Sequence, residues 1–374
     1  MKFITIKSFT LLALLFGMIG ALAAPASTED DPTLFQSKAS AKVARATSFK
    51  NGWDGPTTGP KLAADQMIVF VGANISGDPG EERLSENLKT VAASVGWRYF
   101  PLDCYGLQNR YAESFSRAIA LHPAAIIFAG ADAKSEAKSI AAAAEKKIPV
   151  IGWHAALTSG PADGLYTNIG TDPKEAGQLA ALLSVVDSKG RAGVVILTDP
   201  SSVNLANKST AMIDTIKQCT TCSLLAVEEV KPGEKPDQIL QRMAALDKQF
   251  GPKLTYMLST NDRFFDVLAT PAAATAFAGD VKFQAIAAGF GSPNAFTRIR
   301  TKKIQLGTVA EPLMLQAWQL IDEVNRAIAG VKPSGYTPDS YLVTIQNIAY
   351  HGGQNNAFDP SNGYQDAYKK IWGR

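Results

Sequence analysis

The sequence predicts an α/β protein with two doubly wound lobes, each built on a parallel sheet that helices cover on both faces. Short apolar runs alternate with longer segments of helical periodicity, and this alternation restarts about half-way along the chain. Strands separated by helices of this length form parallel sheets. The chain has 374 residues, a length that suits two domains.

The first series of elements follows a polar N-terminal segment. Its strands are predicted at residues 67–73, 97–104, 124–130 and 149–153. A helix is predicted around Leu84, Leu88, Val91 and Val95, which share one helical face. Further helices are predicted at residues 111–121 and in the Ala-rich stretch 134–147.

The second series repeats this pattern with strands and helices of similar length. Its strands are predicted at residues 192–198, 223–230, 253–259, 282–288, 304–310 and 341–349. Its helices are predicted at residues 174–186, 205–218, 237–250 and 313–329, the last of these ending at Gly330. Two such series indicate two lobes.

Residues 1–23 have the pattern of a secretory signal peptide. Lys2 and Lys7 precede an apolar run over residues 9–22, which ends in small residues that suit cleavage. A membrane anchor is the alternative, but the run is shorter than the roughly 20 apolar residues of a span. We therefore expect export to the periplasm and no stable membrane insertion.

The two ends of the mature chain differ from its middle. Residues 24–65 form an N-terminal extension, with a short helix and a Pro- and Gly-rich linker. Trp53 in this linker is either a packing anchor or a lid over a cleft. Residues 351–374 form a polar C-terminal tail that ends in a candidate helix.

The charge of the chain indicates no nucleic-acid partner. The formal net charge is +3, and removal of Lys2 and Lys7 with the signal peptide leaves +1. So weak a net charge provides little attraction for nucleic acid or for an anionic membrane.

Three cysteines are present, at positions 104, 219 and 222. Cys219 and Cys222 are candidates for a short disulfide in an oxidising compartment. A zinc half-site and a redox pair are the alternatives, although no second ligand pair is spaced to complete a zinc site. Cys104 is then expected to be a buried free thiol.

The sequence contains none of the common catalytic motifs. It has no His-Glu-x-x-His pair, no Gly-x-Ser-x-Gly turn and no phosphate-binding Gly-x-x-x-x-Gly-Lys loop. Gly289 and Gly291 follow a predicted strand, but the third glycine of a dinucleotide motif is missing. We expect neither an enzyme nor a bound cofactor.

Polar and aromatic residues follow several of the predicted strands. In a doubly wound sheet, ligands bind at the carboxyl ends of the strands. The candidates at these ends are Asn74, Asp78, Asp132, His154, Asn261, Asp262 and Phe290.

Five segments resemble a known family when they are taken in order. They are Pro123-Ala-Ala-Ile-Ile-Phe, Lys146-Lys-Ile-Pro-Val-Ile-Gly, Asn168-Ile-Gly-Thr-Asp-Pro-Lys-Glu-Ala-Gly, Ser259-Thr-Asn-Asp and Gly307-Thr-Val-Ala-Glu-Pro. Over residues 67–349 the chain resembles the periplasmic solute-binding proteins of ABC importers, in the ribose- and galactose-binding class with the type I fold. Related repressors carry an N-terminal DNA-binding motif, where this chain has its signal peptide.

The resemblance implies a hinge of three chain crossings. Lobe 1 would comprise residues 66–155 and 312–338, and lobe 2 residues 156–311 and 339–350. Closure of the lobes on a solute is the implied motion. The expected function is that of a monomeric substrate-binding subunit that presents a small solute to an ABC permease. The alternative is a sensor of the same fold that serves a chemoreceptor or histidine kinase.

The resemblance also implies ligand-binding residues. Asn261 matches a position that hydrogen-bonds the ligand, and Lys208 falls near a position where an arginine often reaches it. Asp262 is expected to hold its loop. Lys208 has the alternative of a solvated helix lysine.

The chain departs from sugar-binding relatives at three positions. His154, which Trp153 precedes, and Phe290 stand where those relatives usually have aspartates that grip sugar hydroxyls, and Glu311 stands where they often have Gln or Asn. These changes favour a ring-bearing solute that stacks on aromatic faces, although a sugar remains the usual ligand of the family. Trp153 and His154 have structural alternatives. Glu311 would either neutralise a cationic ligand group or bind the hinge backbone.

Overall fold

The computed structural model describes residues 31–48, 52–200, 202–231 and 233–374. The predicted signal peptide lies outside the described residues. Two sheets of six strands form two lobes, which confirms the predicted fold class. None of the helices in the described ranges has the length and apolar character needed to cross a membrane.

The helices and strands are numbered in chain order. The strands are β1 (Met67–Gly72), β2 (Arg98–Asp103), β3 (Ala125–Ala129), β4 (Val150–Trp153), β5 (Gly160–Ala162), β6 (Leu165–Ile169), β7 (Gly193–Thr198), β8 (Ser223–Glu229), β9 (Tyr256–Ser259), β10 (Gln284–Ala287), β11 (Gln305–Ala310) and β12 (Tyr341–Thr344). The α-helices are α1 (Pro32–Thr47), α2 (Pro79–Ser94), α3 (Tyr111–Ala120), α4 (Ala137–Glu145), α5 (Pro173–Asp187), α6 (Val203–Gln218), α7 (Pro236–Phe250), α8 (Pro271–Ala276), α9 (Pro293–Arg300), α10 (Leu313–Ile328) and α11 (Tyr364–Trp372). Short 3-10 helices occur at Gln108–Arg110, Gly251–Lys253, Asp262–Ala269 and Gly353–Asn355.

Lobe 1 is built on the sheet β2-β1-β3-β4-β6-β5, and lobe 2 on the sheet β12-β11-β10-β9-β7-β8. In each sheet all neighbours pair in parallel except at one edge, where β5 and β12 run antiparallel to their neighbours. Helix α10 packs on α2 of lobe 1, and α5 and α6 pack together on lobe 2. The predicted sheets therefore exist, each with one antiparallel edge strand.

The sheet of lobe 1 extends further along the chain than the predicted boundary. The sequence-based limits assign residues 156–169 to lobe 2. In the structure β6 pairs in parallel with β4, with Ile151 opposite Thr167 and Trp153 opposite Ile169. Strands β5 and β6 therefore belong to the first sheet, and the chain first leaves lobe 1 after Ile169.

Three connections join the lobes in the region of the predicted hinge. They lie between β6 and α5, between β11 and α10, and between α10 and β12. The second connection is only Glu311 and Pro312, so the Glu311 side chain is held where the lobes meet.

Asp-Pro pairs begin two of the helices that face the cleft. Asp78 precedes Pro79 at the start of α2, and its carboxylate accepts hydrogen bonds from the backbone N–H groups of Gly80 and Glu81. Asp172 caps α5 in the same way before Pro173. Proline suits the first helical turn and an acidic cap satisfies its free N–H groups, so the sequence fixes these helix starts locally.

The terminal segments pack on different lobes. Ala39 and Val43 of α1 are buried in the core of lobe 2. Trp53 packs on lobe 1 instead, with ring centroids 5.0 Å from Tyr336 and 5.2 Å from Tyr368. These contacts make Trp53 a packing residue.

The three cysteines form one disulfide and one buried free thiol, the arrangement expected in an oxidising compartment. Cys219 and Cys222 form a disulfide with their Cα atoms 5.3 Å apart, at the end of α6. Cys104 is a buried free thiol.

Candidate functional site

The site lies where the carboxyl ends of strands from both sheets face each other. His154 follows β4 of lobe 1, whereas Asn261, Phe290 and Glu311 follow β9, β10 and β11 of lobe 2. Helix α6 of lobe 2 adds Asn204 and Lys208. The carboxyl ends of the parallel strands therefore bring residues that are far apart in the sequence to one place.

Glu311 is the centre of this cluster. Its Oε2 accepts hydrogen bonds from His154 Nε2 at 2.7 Å and from Gln316 Nε2 at 2.9 Å. His154 Nδ1 lies 2.6 Å from Asn204 Nδ2 and accepts a hydrogen bond from it. Because Asn204 belongs to lobe 2, His154 connects the two lobes through both of its ring nitrogens.

Lys208 is a buried cation without a hydrogen bond. Its side chain is 0% exposed, and Nζ has no hydrogen-bond partner among the described residues. Nζ lies 3.9 Å from Glu311 Oε1 and 4.7 Å from the ring centroid of Phe290. Glu311 Oε1 and Asn204 Oδ1 likewise lack hydrogen-bond partners within the described ranges.

Burial and nearby charges shift the pKa values of Lys208 and Glu311 in opposite directions. Burial is the largest influence on Lys208 and lowers its pKa, against the raising effect of Glu311, Asp262 and Asp78. Burial also favours the neutral form of Glu311. The interactions of Glu311 with His154 and Lys208 and the Gln316 hydrogen bond together outweigh it and lower the pKa of Glu311 to about 2.

Trp153 is buried beside this cluster and contacts several of its members. Its side chain is 1% exposed, and Nε1 donates a hydrogen bond of 2.8 Å to Gln316 Oε1. The ring lies edge-on to His154, at 4.5 Å between centroids, and 5.6 Å from Phe290. In this closed arrangement Trp153 positions Gln316, and Phe290 is the aromatic side chain that remains partly exposed.

The lobes also touch directly at a second place. Asn261 Nδ2 donates a hydrogen bond of 3.3 Å to Asp78 Oδ2 across the cleft. The Phe290 ring packs against Gly80, where an added Cβ would come within 2.4 Å of the ring. A side chain at position 80 would therefore prevent the lobes from closing in this way.

Asp262 holds the loop that carries Phe290, which agrees with the role expected from the sequence. Its Oδ2 accepts hydrogen bonds from the backbone N–H groups of Gly291 and Ser292, at 2.9 and 3.2 Å, and its Oδ1 accepts one from Gln305. An added Cβ at Gly289 would come within 2.1 Å of this carboxylate. The loop conformation therefore depends on Asp262.

Replacing Asp262 by asparagine is expected to lower the free energy of unfolding by about 1–2 kcal/mol. An amide NH₂ group turned toward Gly291 and Ser292, or toward Gln305, leaves buried donors without an acceptor. Urea unfolding measures this loss, with Asp280→Asn at an exposed loop position as the matched control. An unchanged midpoint would show that the carboxylate does not hold the loop.

Two of the predicted site residues do not join the cluster. The Asn74 backbone N–H donates to the buried Glu81 carboxylate, and its carbonyl accepts from Gly77 and Asp78. The Asp132 carboxylate accepts a hydrogen bond from the Lys134 backbone N–H. Both residues stabilise their own loops at the carboxyl edge of the lobe 1 sheet.

A cavity of about 190 Å³ remains between the lobes. Its walls include Asn261, Phe290 and Glu311 from lobe 2, with Gly80 and Arg83 from lobe 1. In the part of the chain that the structure describes, no group of three His, Cys, Asp or Glu side chains is arranged to hold a metal ion.

The fold agrees with comparisons to known proteins. Residues 68–332 match the family model described as the periplasmic binding protein domain, and the chain belongs to this family. No curated protein sequence is a significant match to the chain.

Solved structures with low identity share the fold. The myo-inositol binding protein from Caulobacter bound to myo-inositol is 20% identical with a TM-score of 0.66, over 77% of this chain and 96% of that chain. The periplasmic binding protein component of the arabinose ABC transporter from Shewanella sp. ANA-3 is 16% identical with a TM-score of 0.65, over 82% and 95%. A sugar-binding protein of a sugar ABC transporter from Bacillus halodurans is 17% identical with a TM-score of 0.63, over 76% and 99%.

Proposed function

We propose that this chain is the periplasmic solute-binding subunit of an ABC importer, and that it traps a small polyhydroxylated solute between its lobes. The family match supports a role in binding, and the printed names of similar structures include binders of inositol and arabinose. The comparisons do not favour the alternative of a sensor. A permease in the membrane is the partner that this role requires.

The observation that carries the proposed ligand class is the set of unsatisfied polar atoms between the lobes. Lys208 Nζ is a donor without a hydrogen bond, and Glu311 Oε1 and Asn204 Oδ1 are acceptors without one. A hydroxyl group donates and accepts at once, so neighbouring hydroxyls could bridge such donors and acceptors. The apolar face of a sugar or cyclic polyol would then lie against Phe290.

This site would replace the acidic pair of sugar-binding relatives by a different set of groups. Glu311 supplies a carboxylate, Lys208 an ammonium group and Asn204 an amide. A neutral solute suits this set because Lys208 and Glu311 already balance each other. Aromatic and nucleoside-like solutes place fewer hydroxyls against these groups and are the competing class.

A thermal-shift screen of refolded protein tests the proposal. The panel contains monosaccharides, cyclic polyols, nucleosides and aromatic acids. A solute at 100 times its dissociation constant adds about 2.7 kcal/mol of stability, which should raise the melting temperature by several degrees. A response to nucleosides or aromatic acids alone would contradict the polyhydroxylated class. Recovery of chemically unchanged solute from the complex would distinguish binding from turnover.

A further inference from the structure

The C-terminal segment of the chain connects the lobes once more. We name residues 345–374 the C-terminal strap. It lies beyond the family match, which ends at residue 332. The three similar structures cover 76–82% of this chain but 95–99% of their own chains, so this chain has segments that those structures lack.

The first half of the C-terminal strap is docked on lobe 2. Phe358 stacks on Tyr341 of β12, with ring centroids 4.5 Å apart and an angle of 10° between the rings. Arg300 at the end of α9 donates a hydrogen bond of 2.8 Å to Asn356 Oδ1. Ile348 and Phe358 are buried in the same small core as Phe296 of α9. This half therefore moves with lobe 2.

The second half, helix α11, is docked on lobe 1. Trp372 stacks on Trp318 of α10, with centroids 5.2 Å apart and an angle of 4°. Trp372 Nε1 donates a hydrogen bond of 2.8 Å to Asp322 of the same helix, and Tyr368 is fully buried. This half therefore moves with lobe 1.

Only residues 359–363 join the two docked halves. Five residues span at most about 20 Å when fully extended. They are folded against the rest of the strap, because Tyr364 donates a hydrogen bond of 2.9 Å to Asp359 and the Ser361 N–H donates to His351 Nδ1 at 3.3 Å. A separation of the lobes that stretches this connection would therefore break these hydrogen bonds.

The C-terminal strap also reaches the cavity between the lobes. Asn355, Asn356 and Asp359 line it, opposite Arg83 and Asn87 of α2. The wall of the cavity on this side is thus formed by residues outside the family match.

We propose that the C-terminal strap is an additional tether between the lobes, which restricts opening of the cleft and closes one side of the solute cavity. The restriction on opening does not depend on which solute binds. Only the role as a cavity wall for solute rests on the proposed function. Hinge opening rotates one lobe against the other, so a segment docked on both lobes must stretch or detach when the cleft opens.

The test lengthens the tether without removing any docking contact. Gly-Ser-Gly-Ser-Gly is inserted between Ser361 and Asn362. A second variant carries the shorter insertion Gly-Ser at the same place. The control carries the five-residue insertion between Gly279 and Asp280, in an exposed loop within lobe 2. Spin labels at Lys89→Cys of α2 and Lys248→Cys of α7, both exposed positions, report the distance between the lobes in solute-free protein.

We expect the distance distribution to shift to longer values by several ångströms with the five-residue insertion, and by less with the two-residue insertion. The control is expected to match the parent protein. Identical distributions in all four proteins would overturn the proposal. Because the measurement uses no solute, it stays informative if the proposed solute class is wrong.

Discussion

Lys208→Met is expected to weaken solute binding by roughly 10- to 100-fold while the solute-free protein keeps its stability. A hydrogen bond from a charged donor contributes about 1.5–3 kcal/mol, which corresponds to this range of affinity. In the structure the ammonium group is fully buried and has no hydrogen bond among the described residues. An apolar side chain of similar length removes that desolvation cost, and Glu311 still accepts its hydrogen bonds from His154 and Gln316, so its charge stays compensated.

Calorimetric titration with the solute found in the screen measures the affinity, and thermal unfolding measures the stability. Lys217→Met is the matched control, since Lys217 is an exposed lysine on the same helix. It should leave both quantities unchanged. If Lys208→Met instead lowered the melting temperature by several degrees with unchanged affinity, Lys208 would be a structural cation and not a ligand-binding residue.

Much of the fold could be predicted because parallel sheets give a strong sequence signal. Buried strands such as β1 and β3 are continuous apolar runs, and the helices between them carry one apolar face. Strand β5 has no such signal. It is a three-residue edge strand, Gly-Pro-Ala, whose pairing depends on β6 across a tight turn. The predicted boundary at residue 155 therefore falls before the last two strands of the first sheet.

The candidate site could be predicted only in part. His154 and Phe290 are predicted because each follows a predicted strand, and the ends of parallel strands converge. Glu311 is predicted from the family resemblance alone. Gln316 and Asn204 lie in helices, where polar residues usually indicate a solvated face. Both are buried here, Gln316 between Trp153 and Glu311 and Asn204 against His154. Their roles follow from contact between the lobes, which a local sequence pattern does not encode.

Glu311→Gln is expected to lower the free energy of unfolding by about 3 kcal/mol at neutral pH. Removing one partner of a buried ion pair leaves the other charge without compensation, at a typical cost of about 3–5 kcal/mol. Asp262 and Asp78 remain near Lys208 and favour its charged form, so we expect the lower end of that range. Urea unfolding measures the change, and Glu113→Gln on an exposed face of α3 is the matched control.

The double variant separates loss of the ion pair from loss of packing. In Glu311→Gln combined with Lys208→Met no buried charge is left over, so stability should return to within about 1 kcal/mol of the parent protein. This corresponds to a coupling of about 2 kcal/mol in a double-mutant cycle. Additive effects of the two substitutions would contradict the ion pair as the cause.

The pH dependence gives an independent check on the same carboxylate. The folded-state pKa of Glu311 is lowered to about 2, below the value of about 4.3 for an unfolded chain. The ionised group therefore stabilises the fold above pH 4.3, and this contribution disappears as the pH falls to about 2. The stability difference between the parent protein and Glu311→Gln should be constant from pH 7 to 5 and shrink between pH 4 and 2. A difference that stays constant down to pH 2 would show that Glu311 stabilises the fold through its shape and hydrogen bonds, without its charge.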